Sequence, residues 1–122
     1  MPISYTIDDE RGCIVETWTG DVTAQELADH WMVYLYDPEV MALRITLVDM
    51  RRARILFTGA QLASLVETIA VPAIRGRKWK SAIVVHDPVQ FGVSRQYQVF
   101  AETYSRDSIF GTEDAALAWL RA

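Results

Sequence analysis

Asp49 and His86 are the two residues of this sequence best suited to acid–base chemistry. Each closes an apolar run that reads as a buried strand. A carboxylate beside an imidazole orients the ring and stabilises its protonated form, which is half of a nucleophile-activating constellation. The other half is missing. The chain contains no Gly-x-Ser-x-Gly elbow, no phosphate-cradling P-loop and no Gly-x-Gly-x-x-Gly turn. His30 and His86 have neither a cysteine nor a second histidine at metal-ligand spacing, so no metal and no cofactor are expected. Cys13 is alone and cannot form an internal disulfide. The residue set favours a non-catalytic binding module over an enzyme, with Asp49 and His86 as the best enzymatic pair available.

Binding chemistry has a better claim. In open α/β sheets ligands sit beyond the C-terminal ends of the strands. Asp49, Arg51, Arg52, Arg54, His86, Asp87 and Arg95 are expected on or near that edge, with two helix N-termini aimed at it. Guanidinium groups and free backbone N–H groups together favour an anion. Phe57 and Phe91 are expected at the same edge, as an apolar mouth beneath the arginines. An apolar slot with a cationic rim suits a small apolar anion such as a fatty acid or other lipid. Thr58 and Gln61 form a capping box, which by itself explains the hydroxyl of Thr58; phosphorylation of Thr58 is the lesser reading. A second basic run, Arg75, Arg77, Lys78 and Lys80 around Trp79, precedes the fourth strand and falls at the opposite edge. It reads as a solvated loop with an anchoring tryptophan.

These residues need a scaffold, and the periodicity supplies one. Ile3, Tyr5 and Ile7 alternate with polar residues, and a polar turn leads to a second strand from Cys13 to about Thr19. Thr23 and Glu26 form a capping box for a first helix carrying Leu27, Trp31, Tyr34 and Leu35, which Asp37-Pro38 stops. Ile45–Met50 reads as a central strand and Ala82–Val85 as another. Between them Leu62, Leu65, Val66 and Ile69 mark a second helix, with Pro72 just past its end. Asp87-Pro88 opens a third helix, Ser108–Phe110 is a short last strand, and Thr112 caps a final helix. The order β-β-α-β-α-β-α-β-α predicts a mixed five-stranded α/β sheet in which only the first strand is antiparallel.

The 122 residues point to a single domain spanning 1–122. With 51% apolar and 23% charged residues the composition is that of a globular chain. A net charge of −4 argues against general nucleic-acid binding, which needs a broad basic face. No apolar stretch approaches the ~20 residues of a transmembrane span. The N-terminus lacks a signal-peptide pattern, so the cytoplasm is the expected compartment. The partner is expected to be a protein or a small amphipathic ligand, with homodimer formation left open.

The layout, taken with Leu47-Val48-Asp49-Met50-Arg51-Arg52-Ala53, with Phe91-Gly92 after the fourth strand and with the closing Asp114–Leu120, resembles the SpoIIAA-like family within the STAS-like fold group. The resemblance covers essentially the whole chain. It implies a non-catalytic regulatory module of the kind best known as anti-sigma-factor antagonists, which are switched by phosphorylation at the start of the second helix. It also implies kinship to the CRAL-TRIO lipid-binding fold and hence an apolar ligand pocket. The family's Asp-Ser-Ser-Gly at the switch is here Phe57-Thr58-Gly59-Ala60: Thr58 keeps a hydroxyl, while the acidic residue and the second serine are gone.

Overall fold

The alternation at the N-terminus builds a hairpin. In the computed structural model, which describes residues 2–122, β1 (Ile3–Asp8) pairs antiparallel with β2 (Cys13–Val22). The turn closes at Gly12, whose φ of +70° only a glycine adopts without strain. Strand β2 continues past the expected Thr19 to Val22. Thr23 then caps α1 (Ala24–Tyr34) with the predicted reciprocal bonds to Glu26. Asp37-Pro38 does end α1, but it also begins a helix that was not expected. The Asp37 carboxylate accepts from the Glu39 N–H and Pro38 occupies the first turn of α2 (Pro38–Leu43), where its missing N–H has no helical partner to lose.

Strand β3 runs Ile45–Ile55, five residues beyond the predicted end. Arg51, Arg52 and Arg54 therefore lie on a strand and not in a loop. Thr58 and Gln61 form their capping box on α3 (Gly59–Leu65). The helical path then continues through a π turn, Val66–Ala70, into α4 (Val71–Ile74). Pro72 is thus inside this path and not beyond it. A proline ring clashes with the carbonyl four residues back in a regular helix; the wider π turn just before it moves that carbonyl aside. Strand β4 (Trp79–Val84) starts earlier than expected, so Trp79 and Lys80 are strand residues, and Trp79 is only 6% exposed. Asp87 caps α5 (Pro88–Phe100), β5 spans Ser105–Phe110, and Thr112 caps α6 (Glu113–Arg121).

The sheet order is β1-β2-β3-β4-β5, with β1 antiparallel and the other neighbours parallel. This is the predicted mixed five-stranded α/β sheet. Among the described residues six α-helical segments take the place of the four main helices expected, because the second predicted helix is interrupted by its π turn and α2 was not foreseen. One face is covered by α6, through Ala116 and Leu120 against Cys13, Leu47, Ala82 and Val84. The other face holds the larger core, where Leu27, Trp31, Tyr34, Leu62, Val66 and Ile74 pack over Ile14, Trp18, Val48 and Ile83.

Strand β3 has neighbours on both sides only as far as Asp49, which pairs with Thr17 and Val84. A β-bulge follows: Thr17 faces Asp49 but Thr19 faces Arg52, so β3 carries one extra residue. The bulge keeps both Met50 and Ala53 buried. Past it, β4 has turned away. The side chain of Gln90, 1% exposed, fills the vacated position. Its amide nitrogen donates to the carbonyls of Arg51 (3.2 Å) and Ala53 (2.9 Å), and its oxygen accepts from the His86 N–H (2.8 Å).

Candidate functional site

The expected anion site at the C-terminal edge does not assemble as free cations. Asp49 and Arg51, on the same face of β3, form a bidentate pair: Arg51 Nε donates to Asp49 Oδ1 (3.0 Å) and Arg51 Nη2 to Oδ2 (2.9 Å). The Arg51 hydrogen bonds hold the Asp49 carboxyl below the usual carboxylate range. Arg51 also lies 3.9 Å from Glu113 at the start of α6. Arg54 is engaged by Asp21 across the β2–β3 ladder (2.9 Å), and Arg95 donates to Gln98 (2.8 Å). Arg52 is exposed and makes no salt bridge among the described residues. His86 is exposed, and the Asp49 carboxylate is taken up by Arg51 and not by His86.

The two aromatic residues part company. Phe57 is 7% exposed and packs on Trp18 (ring centroids 6.3 Å apart), inside the larger core. Phe91 is 50% exposed on the outside of α5. The common mouth predicted for them is not formed, because the β3 extension carries Phe57 under the helices. Phe91 instead heads an exposed line with Arg95 and Val99, spaced four residues apart on α5. Thr58 is exposed at its cap: Oγ1 accepts from the Gln61 N–H (3.1 Å), and the Thr58 N–H donates to Gln61 Oε1 (2.9 Å). Just beside it, a Cβ at Gly59 would collide with the side-chain amide of Gln96, so the start of α3 lies directly against α5. Leu56, Thr58 and Gln96 are exposed around this contact, and Leu56 is the apolar side chain among them.

A second arrangement lies inside. Between the sheet and helices α1, α3 and α5 is a cavity of about 70 Å³, walled mainly by Trp18, Trp31, Val48, Phe57, Leu62 and Ile83. Polar groups break this wall. Glu16 and His30, each 5% exposed, meet through Glu16 Oε1 and His30 Nε2. The His30 ring stacks on Tyr34 (centroids 4.8 Å apart). The Tyr34 hydroxyl is 2.8 Å from Thr46 Oγ1, which also accepts from the Trp79 indole N–H (3.0 Å). Thr46 faces Ser81 and Ser81 faces Asp107 across the parallel ladders, so a polar row crosses β3, β4 and β5. Asp107 accepts from Ser105 Oγ (2.7 Å) while its other oxygen is buried without a partner. Burial pushes its carboxyl up to about 6. Burial likewise raises the Tyr34 and Tyr97 hydroxyls.

None of this interior set was singled out from the sequence as a site. The signal was present in the periodicity. Glu16 stands between Ile14 and Trp18 on the inward face of β2, and His30 falls on the Leu27–Trp31–Tyr34 stripe of α1. A charged residue at an inward strand position demands a partner, and an imidazole on a facing stripe is the obvious one.

The comparisons with known proteins place this architecture. No family model matches the chain, and no curated protein matches it. Solved structures do, among them two that match end to end. One is an uncharacterized protein of the DUF3478 family with a SpoIIAA-like fold from Shewanella loihica, 17% identical, covering 97% of this chain and 91% of that one, with a TM-score of 0.63. The other is the anti-sigma factor antagonist SpoIIAA in its unphosphorylated form, 12% identical over 98% of both chains, with a TM-score of 0.60. The chain has a SpoIIAA-like fold. No described helix is long and apolar enough to cross a membrane.

Proposed function

We propose that this chain is a STAS-like regulatory module that works by binding a partner protein and not by catalysis. The observation that carries the reading is the end-to-end likeness to an anti-sigma factor antagonist, extending over 98% of both chains. The surface around Thr58 supports it. Leu56 and Gln96 offer a partly apolar contact area beside an exposed helix start, the composition expected of a transient protein interface. The hydroxyl of Thr58 is committed to its cap, which favours contact without a phosphorylation switch. The lone Cys13, buried and unpaired, suits a reducing compartment such as the cytoplasm.

The lipid-carrier reading asks for more room than the interior offers. A cavity of about 70 Å³ holds a few water molecules, whereas an engineered cavity that binds benzene, a far smaller molecule than a lipid, has about 150 Å³. Native mass spectrometry of the freshly isolated protein separates the two. The expected result is a stoichiometric complex with a protein, lost in Leu56→Glu and retained in Thr58→Ala. A retained apolar molecule of defined mass, with no protein complex, would refute the module and restore the carrier.

A further inference from the structure

The two ends of the sheet carry charge differently. At the C-terminal end two of the three arginines of β3 are matched by carboxylates: Arg51 by Asp49 and Glu113, Arg54 by Asp21. At the N-terminal end, Arg44, Lys78, Lys80 and Arg106 line one open cleft of about 470 Å³, with Glu102 as its single acidic residue. Four of the chain's 12 Lys and Arg residues are gathered there against one of its 16 Asp and Glu residues, although the chain as a whole is net negative. None of the four takes part in a salt bridge among the described residues.

These cations arrive from separate elements, so the run Arg75–Lys80 alone does not reveal the cleft. Arg44 ends α2 in a left-handed conformation (φ 55°), Lys78 immediately precedes β4, Lys80 lies within it, and Arg106 is on β5. Lys80 and Arg106 stand directly opposite one another in the ladder, an arrangement that like charges destabilise. The fold holds it in place. Lys80 Nζ donates to the carbonyls of Trp119 (3.0 Å) and Leu120 (3.2 Å) at the end of α6, and both cations sit over the Trp119 ring, at 4.7 and 5.5 Å. Arg44 is held by carbonyl bonds from Nε to Lys78 and from Nη1 to Met41, which leaves the rest of its five donors unused. Beneath the charges the floor is apolar and aromatic: Leu43, Ile45, Trp79 and Tyr104.

We propose that this N-terminal cleft binds the phosphate group of a small phosphate-bearing organic molecule. Four cations lining one cleft against a single carboxylate, Glu102, call for a ligand carrying more than one negative charge, and arginine forks match phosphate oxygens in pairs. The apolar floor takes the organic body. A volume of about 470 Å³ falls within the ~300–1,000 Å³ typical of small-ligand sites. The overall charge of −4 opposes a long polyanion. The site lies at the other end of the sheet from the surface around Thr58, so it stands or falls independently of the partner-binding reading.

Calorimetric titration with pyrophosphate and with glycerol 3-phosphate, against sulfate at equal ionic strength, tests it. The variants are Lys78→Gln and Arg106→Gln, neither of which removes a salt bridge, and Arg52→Gln serves as a control at the opposite edge. Circular dichroism confirms that each is folded. The expected result is saturable binding of both phosphates and not of sulfate. Binding should weaken about tenfold, ~1.4 kcal/mol, in each cleft variant and stay unchanged in the control. Flotation with phosphatidylcholine vesicles, with and without phosphatidic acid, then tells whether the phosphate belongs to a soluble compound or to a lipid headgroup. No binding by the parent protein to either form, or equal weakening in the control, would overturn the proposal. Tighter binding of a single-stranded oligonucleotide than of any small phosphate would overturn it too.

Discussion

Asp107 and Asp49 show how one residue type acquires opposite behaviour from its surroundings. Asp49 is held ionised by Arg51, so its contribution to stability is present above the ordinary carboxylate range and lost only as the pH falls below it. Asp107 is the reverse. Burial lifts its carboxyl from 3.8 to about 6, so between those values the folded chain keeps a proton that the unfolded chain releases. Its stabilising effect is complete at low pH and disappears as the pH rises through about 6. A shift of roughly two units corresponds to about 3 kcal/mol. Asp107→Asn mimics the protonated form at every pH. Urea unfolding should therefore show the variant gaining about 2 kcal/mol on the parent between about pH 4 and pH 7, whatever the absolute offset between them. A constant difference across that range would mean that Asp107 is hydrated in the folded state.

At the scale of the element, the ends of helices and strands decide what could be read. The capping boxes of α1 and α3, and the Asp87 and Thr112 caps, were legible because capping is local: donor and acceptor lie three residues apart. The length of β3 was not, because Met50–Ile55 is kept in strand form by a bulge and by Gln90, a residue more than thirty positions away. That one misplacement displaced the expected site. It put Arg51 within reach of Asp49 and drew Phe57 inward. Pro72 misled for a related reason: the π turn that accommodates it has no sequence mark. Gln90→Leu tests the account of β3. It removes the partners of the Arg51 and Ala53 carbonyls and of the His86 N–H at a site where Gln90 is 1% exposed. Unpaired buried groups of this kind cost about 1–3 kcal/mol each, so equilibrium unfolding should show a loss of about 3 kcal/mol or more. A loss below about 1 kcal/mol would show that solvent already reaches these groups.

The whole molecule is a parallel sheet with one segment extended past its neighbours. Ile45–Asp49 is hydrogen-bonded on both sides, by β2 and β4, while Arg52–Ile55 is paired with Thr19–Val22 alone. The surface proposed to meet a partner, at Leu56 and Thr58, hangs from the end of this extension. Protection from hydrogen exchange reports local opening, which is easiest where few elements hold a backbone group. Amides of Thr46–Asp49 and Ser81–Val84 should therefore exchange only through global unfolding. Those of Arg52–Ile55 and Thr19–Val22 should exchange through a local opening of lower free energy. Gln90→Leu should widen this gap in a particular way. It should lower protection across the extension by more than it lowers global stability, because Gln90 is the tie between the extension and α5. Equal protection along the whole of β3 would show that packing of Val22, Ala53 and Phe57 into the core, and not strand pairing, sets the stability of this end. The partner surface would then stand on a rigid edge and not on a segment able to open.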